Sequence, residues 1–216
     1  MFPALYAILD ATPSLPPEST FSFAEKLAAA GVELIQLRAK NASTRHFHEL
    51  SGALVSRFAS HSVRVIVNDR PDIAAIAGAH GVHVGQEDLP VADARKICPP
   101  PQWVGVSTHN LEQLRAADLT SADYIAVGPI FPTATKENPD PVVGLEFLRE
   151  ARKITRKPLV AIGGITVQSA SDVFRAGADS VAVIGDLANA PDPAQRAREY
   201  LAIAKQVSAM RSSNAR

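Results

Sequence analysis

Residues 123–154 read DYIAVGPIFPTATKENPDPVVGLEFLREARKI. Asp123–Val127 is a short apolar run with the look of a buried strand, and Leu145–Ile154 repeats apolar residues at helical spacing. Between them, Gly128–Gly144 has no apolar period and contains four prolines, Pro129, Pro132, Pro139 and Pro141. The stretch is a strand-to-helix unit with an unusually long joint. Long structureless loops inside compact domains are uncommon and usually functional. Thr133, Thr135 and Lys136 put two hydroxyls and an ammonium within four residues. Such groups suit a phosphorylated ligand, because the ammonium neutralises charge and the hydroxyls donate hydrogen bonds. Taken alone, a surface connection stiffened by proline looks the same.

Working outward, the strand–helix unit recurs along the whole chain. Strands are expected at Ala4–Leu9, Glu33–Leu37, Arg64–Val67, Gly81–Val84, Trp103–Val106, Tyr124–Val127, Leu159–Ile162 and Ser180–Ile184. Helices are expected at Phe21–Ala30, Thr44–Ser60, Pro71–Ala77, Val91–Ile97, Leu111–Ala117, Leu145–Ile154, Val167–Ala176 and Ala194–Met210. Gly31 and Gly177 stand where a helix end wants glycine, and Pro71 suits a first helical turn. Phe47, Leu50, Leu54, Val55 and Phe58 form one helical stripe. The strands are apolar on both faces, as in buried parallel sheets. Eight strands alternating with eight helices, with no domain break, predict one α/β domain over residues 1–216, a single (β/α)8 TIM barrel whose tail 211–216 frays. A doubly wound open sheet is the alternative. It lacks support, because no glycine-rich dinucleotide loop follows the first strand.

Composition bounds the function. The 216 residues fit one large domain. Lys plus Arg and Asp plus Glu both number 22, so the formal charge is zero. No basic excess points to nucleic acid or a membrane surface. Any anion must be bound locally. A single cysteine, Cys98, excludes an internal disulfide framework. No run approaches a membrane span, and the N-terminus lacks the pattern of a signal peptide. These absences suggest a cytoplasmic enzyme. They leave a homo-oligomer open.

In a barrel of this kind the active site lies at the C-terminal ends of the strands. After strand two, side-chain alternation puts Gln36, Arg38 and Lys40 on one face, with Ile35 and Leu37 toward the helices. Two cations and an amide together suit a diphosphate; a solvated strand end would read similarly. After strands three and four come Asn68-Asp69 and Gly85-Gln86-Glu87-Asp88. The two strands should be neighbours, so Asp69 and Asp88 can converge. Two carboxylates with substrate phosphate oxygens form an ordinary Mg²⁺ site. Each aspartate, taken alone, also suits a helix N-cap. After strand five, Ser107 and Thr108 are candidate ligand contacts and Asn110 a cap. After strands seven and eight, Gly163-Gly164 and Gly185 let backbone N–H groups approach a phosphate, or simply form turns. His46 and His48 read as surface residues and His61 and His80 as turn residues. His83 fits a satisfied barrel-interior histidine, and His109 sits at the mouth. No pair has zinc spacing.

The motifs QLRAK (36–40), NDRPDIA (68–74), GVHVGQEDLP (81–90), GVSTH (105–109), DYIAVGPIFPTATKENPDPVVG (123–144) and AIGGI (161–165) fall in order at strand ends. Together they resemble the thiamine-phosphate synthase family, from Tyr6 to about Leu187. The resemblance implies a (β/α)8 barrel and a transferase of thiamine biosynthesis. Such an enzyme joins hydroxymethylpyrimidine diphosphate to hydroxyethylthiazole phosphate and releases pyrophosphate. It implies that Gln36, Arg38, Lys40 and Lys136 hold the diphosphate, and that Asp69 and Asp88 bind Mg²⁺. Asn68 and Ser107 then contact the pyrimidine, while Thr133, Thr135, Gly164, Ile184 and Gly185 contact the thiazole phosphate. One departure stands out: many members carry serine where this chain has Gly185, followed by a small residue rather than Asp186. A carboxylate there is unfavourable to a phosphate unless it is directed away. Two alternatives are a thiazole tautomerase-like isomerase, with His109 shuttling a proton, and a non-catalytic phosphate-binding barrel.

Overall fold

The computed structural model describes residues 2–11, 16–133 and 140–214, without the side chains of residues 212 and 214. The first half runs β1 (Leu5–Asp10), α1 (Pro17–Ala29), β2 (Leu34–Arg38), α2 (Thr44–Arg57), β3 (Arg64–Asn68), α3 (Pro71–Ile76), β4 (Gly81–Val84) and α4 (Val91–Ile97). The second half runs β5 (Trp103–Thr108), α5 (Leu111–Asp118), β6 (Tyr124–Val127), α6 (Gly144–Ile154), β7 (Leu159–Ile162), α7 (Val167–Arg175), β8 (Ser180–Val183), α8 (Gly185–Ala188) and α9 (Pro193–Asn214). Every strand pairs in parallel with its sequence neighbours, and β8 closes on β1 through Leu5↔Val181. The molecule is a single (β/α)8 TIM barrel.

Alternation along each strand makes two cores. Ile35, Leu37, Val65, Val67, Val82, Val84 and Val104 point outward and pack beneath the helices. Tyr6, Ile8, Leu34, Ile66, Tyr124, Ala126, Val160 and Ala182 fill the barrel interior. Burial on both faces is why the strands read as unbroken apolar runs. Each fully buried valine, leucine or isoleucine among them contributes about 1.5–3 kcal/mol. The exposed i,i+3 pairs, such as Lys96–Asp93 and Lys153–Glu150, are solvated and screened and add little. Packing therefore decides the fold. The N-terminal end is plugged by aromatic rings: Phe2 stacks on Trp103 at 5.3 Å and lies 5.2 Å from Tyr124. A Cβ at Gly105 would sit 2.0 Å from the Tyr124 ring, so glycine in β5 is what lets that ring cross the interior.

Several boundaries differ from expectation for local reasons. The first helix starts four residues early, because Pro17 occupies its first turn. Helix α2 stops at Arg57 rather than Ser60; Phe58 leaves helical geometry yet stays buried. A four-residue helix, α8, follows β8, so the described residues hold nine helices where eight were expected. The last helix runs on to Asn214; residues 215–216 lie outside the described residues. Gly31 and Gly177 do close α1 and α7, with φ of 98° and 122°. Among the described residues, no helix is long and apolar enough to cross a membrane.

Candidate active site

The C-terminal ends of the strands surround an open cavity of about 1140 Å³. Gln36, Arg38 and Lys40 line it in a row, because β2 turns its odd positions to the helices and its even ones to the interior. Gln36 is buried and donates through Nε2 to the Tyr6 hydroxyl at 2.7 Å. Arg38 donates through Nη1 to Asp10 at the end of β1, at 2.5 Å. Asp10 reads in sequence as the first residue of a Pro/Ser-rich loop. The register Asp10↔Arg38 instead makes it a strand residue and the partner that orients the arginine. Lys40 reaches across to Asp69 at 4.0 Å.

Asp69 and Asp88 converge, as the β3–β4 neighbourhood requires. Neither caps a helix: α3 and α4 begin behind Arg70 and Pro90, without a side-chain cap. Asp88 accepts from the Gly85 N–H at 2.7 Å. Asp69 has φ of 61°, a left-handed conformation uncommon outside glycine. Burial, then the Asp88 charge and a hydrogen bond to Asp88, raise its pKa from 3.8 to about 6; Lys40 and Arg38 pull it down. Two carboxylates crowded this closely call for added positive charge. Among the described residues, no group of three or more His, Cys, Asp or Glu gathers to hold a metal. The pair fits a hard cation that brings water or phosphate oxygens as its remaining ligands, and Mg²⁺ is such an ion. Asp69, Glu87, Asp88, Asp140 and Asp186 face Arg38, Lys40 and Arg196, leaving carboxylates in excess among the described lining residues.

Asn68 and Ser107 line the cavity between these groups. Thr108 does not. It is fully buried and donates to the Ala126 carbonyl at 3.0 Å, because one step along β5 reverses the face. Asn110 caps α5, accepting from the Gln113 N–H at 2.9 Å. His109 holds the loop after β6: its Nδ1 bonds the Gly128 carbonyl at 2.7 Å and its Nε2 lies 3.6 Å from Asp140. Thr133 lines the cavity; Thr135 and Lys136 lie outside the described residues. Gly164, Ile184 and Gly185 complete the opposite wall. Gly164 has φ of 63°, and a Cβ there would lie 2.3 Å from the Pro132 carbonyl oxygen. Its first requirement is thus the close approach of the loops after β6 and β7, joined by Ile130 N–H to Ile162 O and Phe131 N–H to Gly163 O.

Asp186 does not stand as a bare charge. Its Oδ1 accepts from Arg196 at 2.7 Å, and its Oδ2 accepts from the Tyr200 hydroxyl at 2.7 Å and the Val167 N–H at 3.4 Å. The carboxylate therefore ties α8 to α9 and to the start of α7. Sequence reasoning missed Arg196 and Tyr200, which sit in the last helix with nothing in the local pattern to connect them to the mouth. His83 is the satisfied interior histidine expected, bonded to Tyr124 at 3.1 Å and Ser107 at 2.9 Å. Burial lowers its pKa from 6.5 to about 4. A smaller concavity of about 490 Å³ lies at the other end of the barrel, around Trp103 and Arg64. There Arg64 lies over the Trp103 ring and Asp123 pairs with Arg95.

A parallel barrel with its polar groups gathered at the strand C-termini belongs to the large class of (β/α)8-barrel enzymes. Relatives narrow the class. The sequence profile of the thiamine monophosphate synthase family matches residues 5–187, and the chain belongs to that family. It is 52% identical over 208 residues to a thiamine-phosphate synthase of Koribacter versatilis, covering 93% of this chain and 95% of that one. A solved thiamine phosphate pyrophosphorylase from Pyrococcus furiosus superposes with a TM-score of 0.82 at 34% identity, covering 94% and 96% of the two chains. A 3-hexulose-6-phosphate synthase from Salmonella typhimurium shares the fold alone, with a TM-score of 0.74 at 20% identity and coverage of 94% and 99%. The chain is a transferase of thiamine biosynthesis acting on small molecules.

Proposed function

We propose that this chain condenses hydroxymethylpyrimidine diphosphate with hydroxyethylthiazole phosphate, giving thiamine phosphate and pyrophosphate by a dissociative substitution. The observation that carries the reading is the two-ended cavity. Arg38, Lys40, Asp69 and Asp88 gather after β2, β3 and β4, while Gly164 and Gly185 follow β7 and β8 across the ring. Barrels often hold phosphate after strands seven and eight beside a short extra helix, and α8 stands there.

In this reading Gln36, Arg38, Lys40 and Lys136 hold the diphosphate, Asn68 and Ser107 contact the pyrimidine, and Thr133, Thr135, Gly164, Ile184 and Gly185 take the thiazole phosphate. Asp69 and Asp88 would hold Mg²⁺, which would supply positive charge for the departing diphosphate. The bond from the pyrimidine methylene carbon to oxygen breaks, and its electron pair leaves with pyrophosphate. The thiazole nitrogen lone pair then forms the new carbon–nitrogen bond. No protein nucleophile or base is needed. The protein's contribution is cationic groups placed where charge develops, with Asp10 fixing the direction of Arg38. The proline-rich loop is the candidate lid that keeps water from the cation. A cytoplasmic location is proposed along with this activity. An isomerase would need His109 aimed at the substrate; here its Nδ1 is bonded to the Gly128 carbonyl of the loop that the histidine holds.

Calorimetric titration tests the two-ended reading. Binding of the pyrimidine diphosphate should tighten with Mg²⁺ by at least about tenfold, and Asp69→Asn should erase that gain. Thiazole phosphate binding should be indifferent to both changes. Equal dependence of the two ligands on Asp69 would sink the division of the cavity.

A further inference from the structure

Five polar side chains form one continuous hydrogen-bonded line across the barrel interior. Gln36 donates to the Tyr6 hydroxyl at 2.7 Å, and the Tyr6 and Tyr124 hydroxyls bond at 2.9 Å. The Tyr124 hydroxyl bonds His83 Nδ1 at 3.1 Å, and His83 Nε2 bonds Ser107 Oγ at 2.9 Å. Both ends, Gln36 and Ser107, reach the cavity wall. We propose that this line is a directional relay that holds His83 as its Nε2–H tautomer and thereby fixes the Ser107 hydroxyl as a donor into the cavity.

The direction follows from counting protons. A tyrosine hydroxyl has one proton to give. The Gln36 amide occupies the Tyr6 oxygen as a donor, so the Tyr6 proton goes to the oxygen of Tyr124. The Tyr124 proton then has one acceptor left in the line, His83 Nδ1. Both tyrosines are fully buried, and burial keeps their hydroxyls protonated. A neutral imidazole carries one proton, and with Nδ1 accepting, that proton is on Nε2 and points at Ser107. Ser107 accepts it and keeps its own proton for the cavity. The opposite direction would require Gln36 to present its carbonyl to Tyr6. Buried donors and acceptors left unmatched are costly, so the line sets all its members together.

The consequence is a specificity rule. Ser107 matches a ligand atom with a free lone pair, such as an unprotonated ring nitrogen, and disfavours an N–H at the same place. On the reading proposed above, that atom belongs to the pyrimidine; the relay itself does not depend on that reading. His83, Tyr124 and Tyr6 are positioning residues that act through Ser107.

The test starts without substrate. In ¹⁵N-labelled protein, two-bond proton–nitrogen correlations should give His83 the Nε2–H pattern; an Nδ1–H pattern overturns the relay. Tyr124→Phe should release the constraint and mix the two tautomers. Tyr6→Phe provides the same release from one link further back if the first variant folds poorly. In either variant the KM for pyrimidine diphosphate should rise about tenfold, the fold-change of one hydrogen bond lost, with the KM for thiazole phosphate unchanged. An unchanged tautomer, or equal rises in both KM values, would show the tyrosines to be packing only. Absence of turnover in the parent protein would instead count against the proposed function and leave the tautomer result standing.

Discussion

At the scale of single residues, Asp69 shows how a site is held at the expense of stability. It occupies a left-handed conformation and shares a crowded corner with Asp88. Asparagine tolerates that backbone better and carries no charge. Asp69→Asn should therefore raise the metal-free Tm at neutral pH by about 2–4 °C, for roughly 1 kcal/mol gained in a chain of this size. A thermal scan showing a lower Tm would mean that the carboxylate is structural. His83 gives the pH dependence its sign. Its folded pKa is about 4, below the ordinary 6.5. The unfolded chain therefore takes up a proton first, and the stability held above pH 6.5 is lost as pH falls toward 4. His83→Gln should flatten that window in denaturant titrations. An unchanged acid slope would locate the sensitivity elsewhere. The row Gln36, Arg38 and Lys40 was legible because alternation along a strand is a local rule. The partner of Arg38 was not, because Asp10 meets it only through strand register.

At the scale of elements, the loops after β6 and β7 behave as one piece. Gly164 is the contact point, with positive φ and the Pro132 carbonyl where a side chain would go. Gly164→Ala should lower stability by about 1–3 kcal/mol and weaken binding of the thiazole phosphate more than that of the pyrimidine diphosphate. Equal weakening of both ligands would argue that the loops bear on the whole cavity. The order of strands and helices was readable from periodicity because each strand is buried on two faces. What escaped that reading came from long-range packing. Helix α8 is four residues long, too short for any period to register. Arg196 and Tyr200 meet Asp186 only because α9 folds back over the end of β8. At the departure Gly185-Asp186, the carboxylate is paired with Arg196 and accepts from two further donors.

At the scale of the whole molecule, the barrel separates what folds from what reacts. The aromatic plug and the two cores lie below and around the strands, and the charged groups lie at their C-terminal ends. Truncating charged side chains at the mouth should therefore spare stability. Asp88→Ala is expected to lose turnover by roughly 10²–10³ while shifting Tm by only a few degrees, and on the proposed function Lys136→Ala, outside the described residues, loses turnover to a similar degree. Parallel losses of folding and turnover would contradict that separation. The central claim is that one cavity joins two phosphorylated partners with the help of Mg²⁺. The most direct measurement mixes the purified chain with hydroxymethylpyrimidine diphosphate, hydroxyethylthiazole phosphate and Mg²⁺, with and without EDTA, and quantifies both products. Equimolar thiamine phosphate and pyrophosphate, abolished by EDTA and restored by excess Mg²⁺, is the predicted result. No thiamine phosphate from protein that binds both substrates, or product formation indifferent to EDTA, would contradict it.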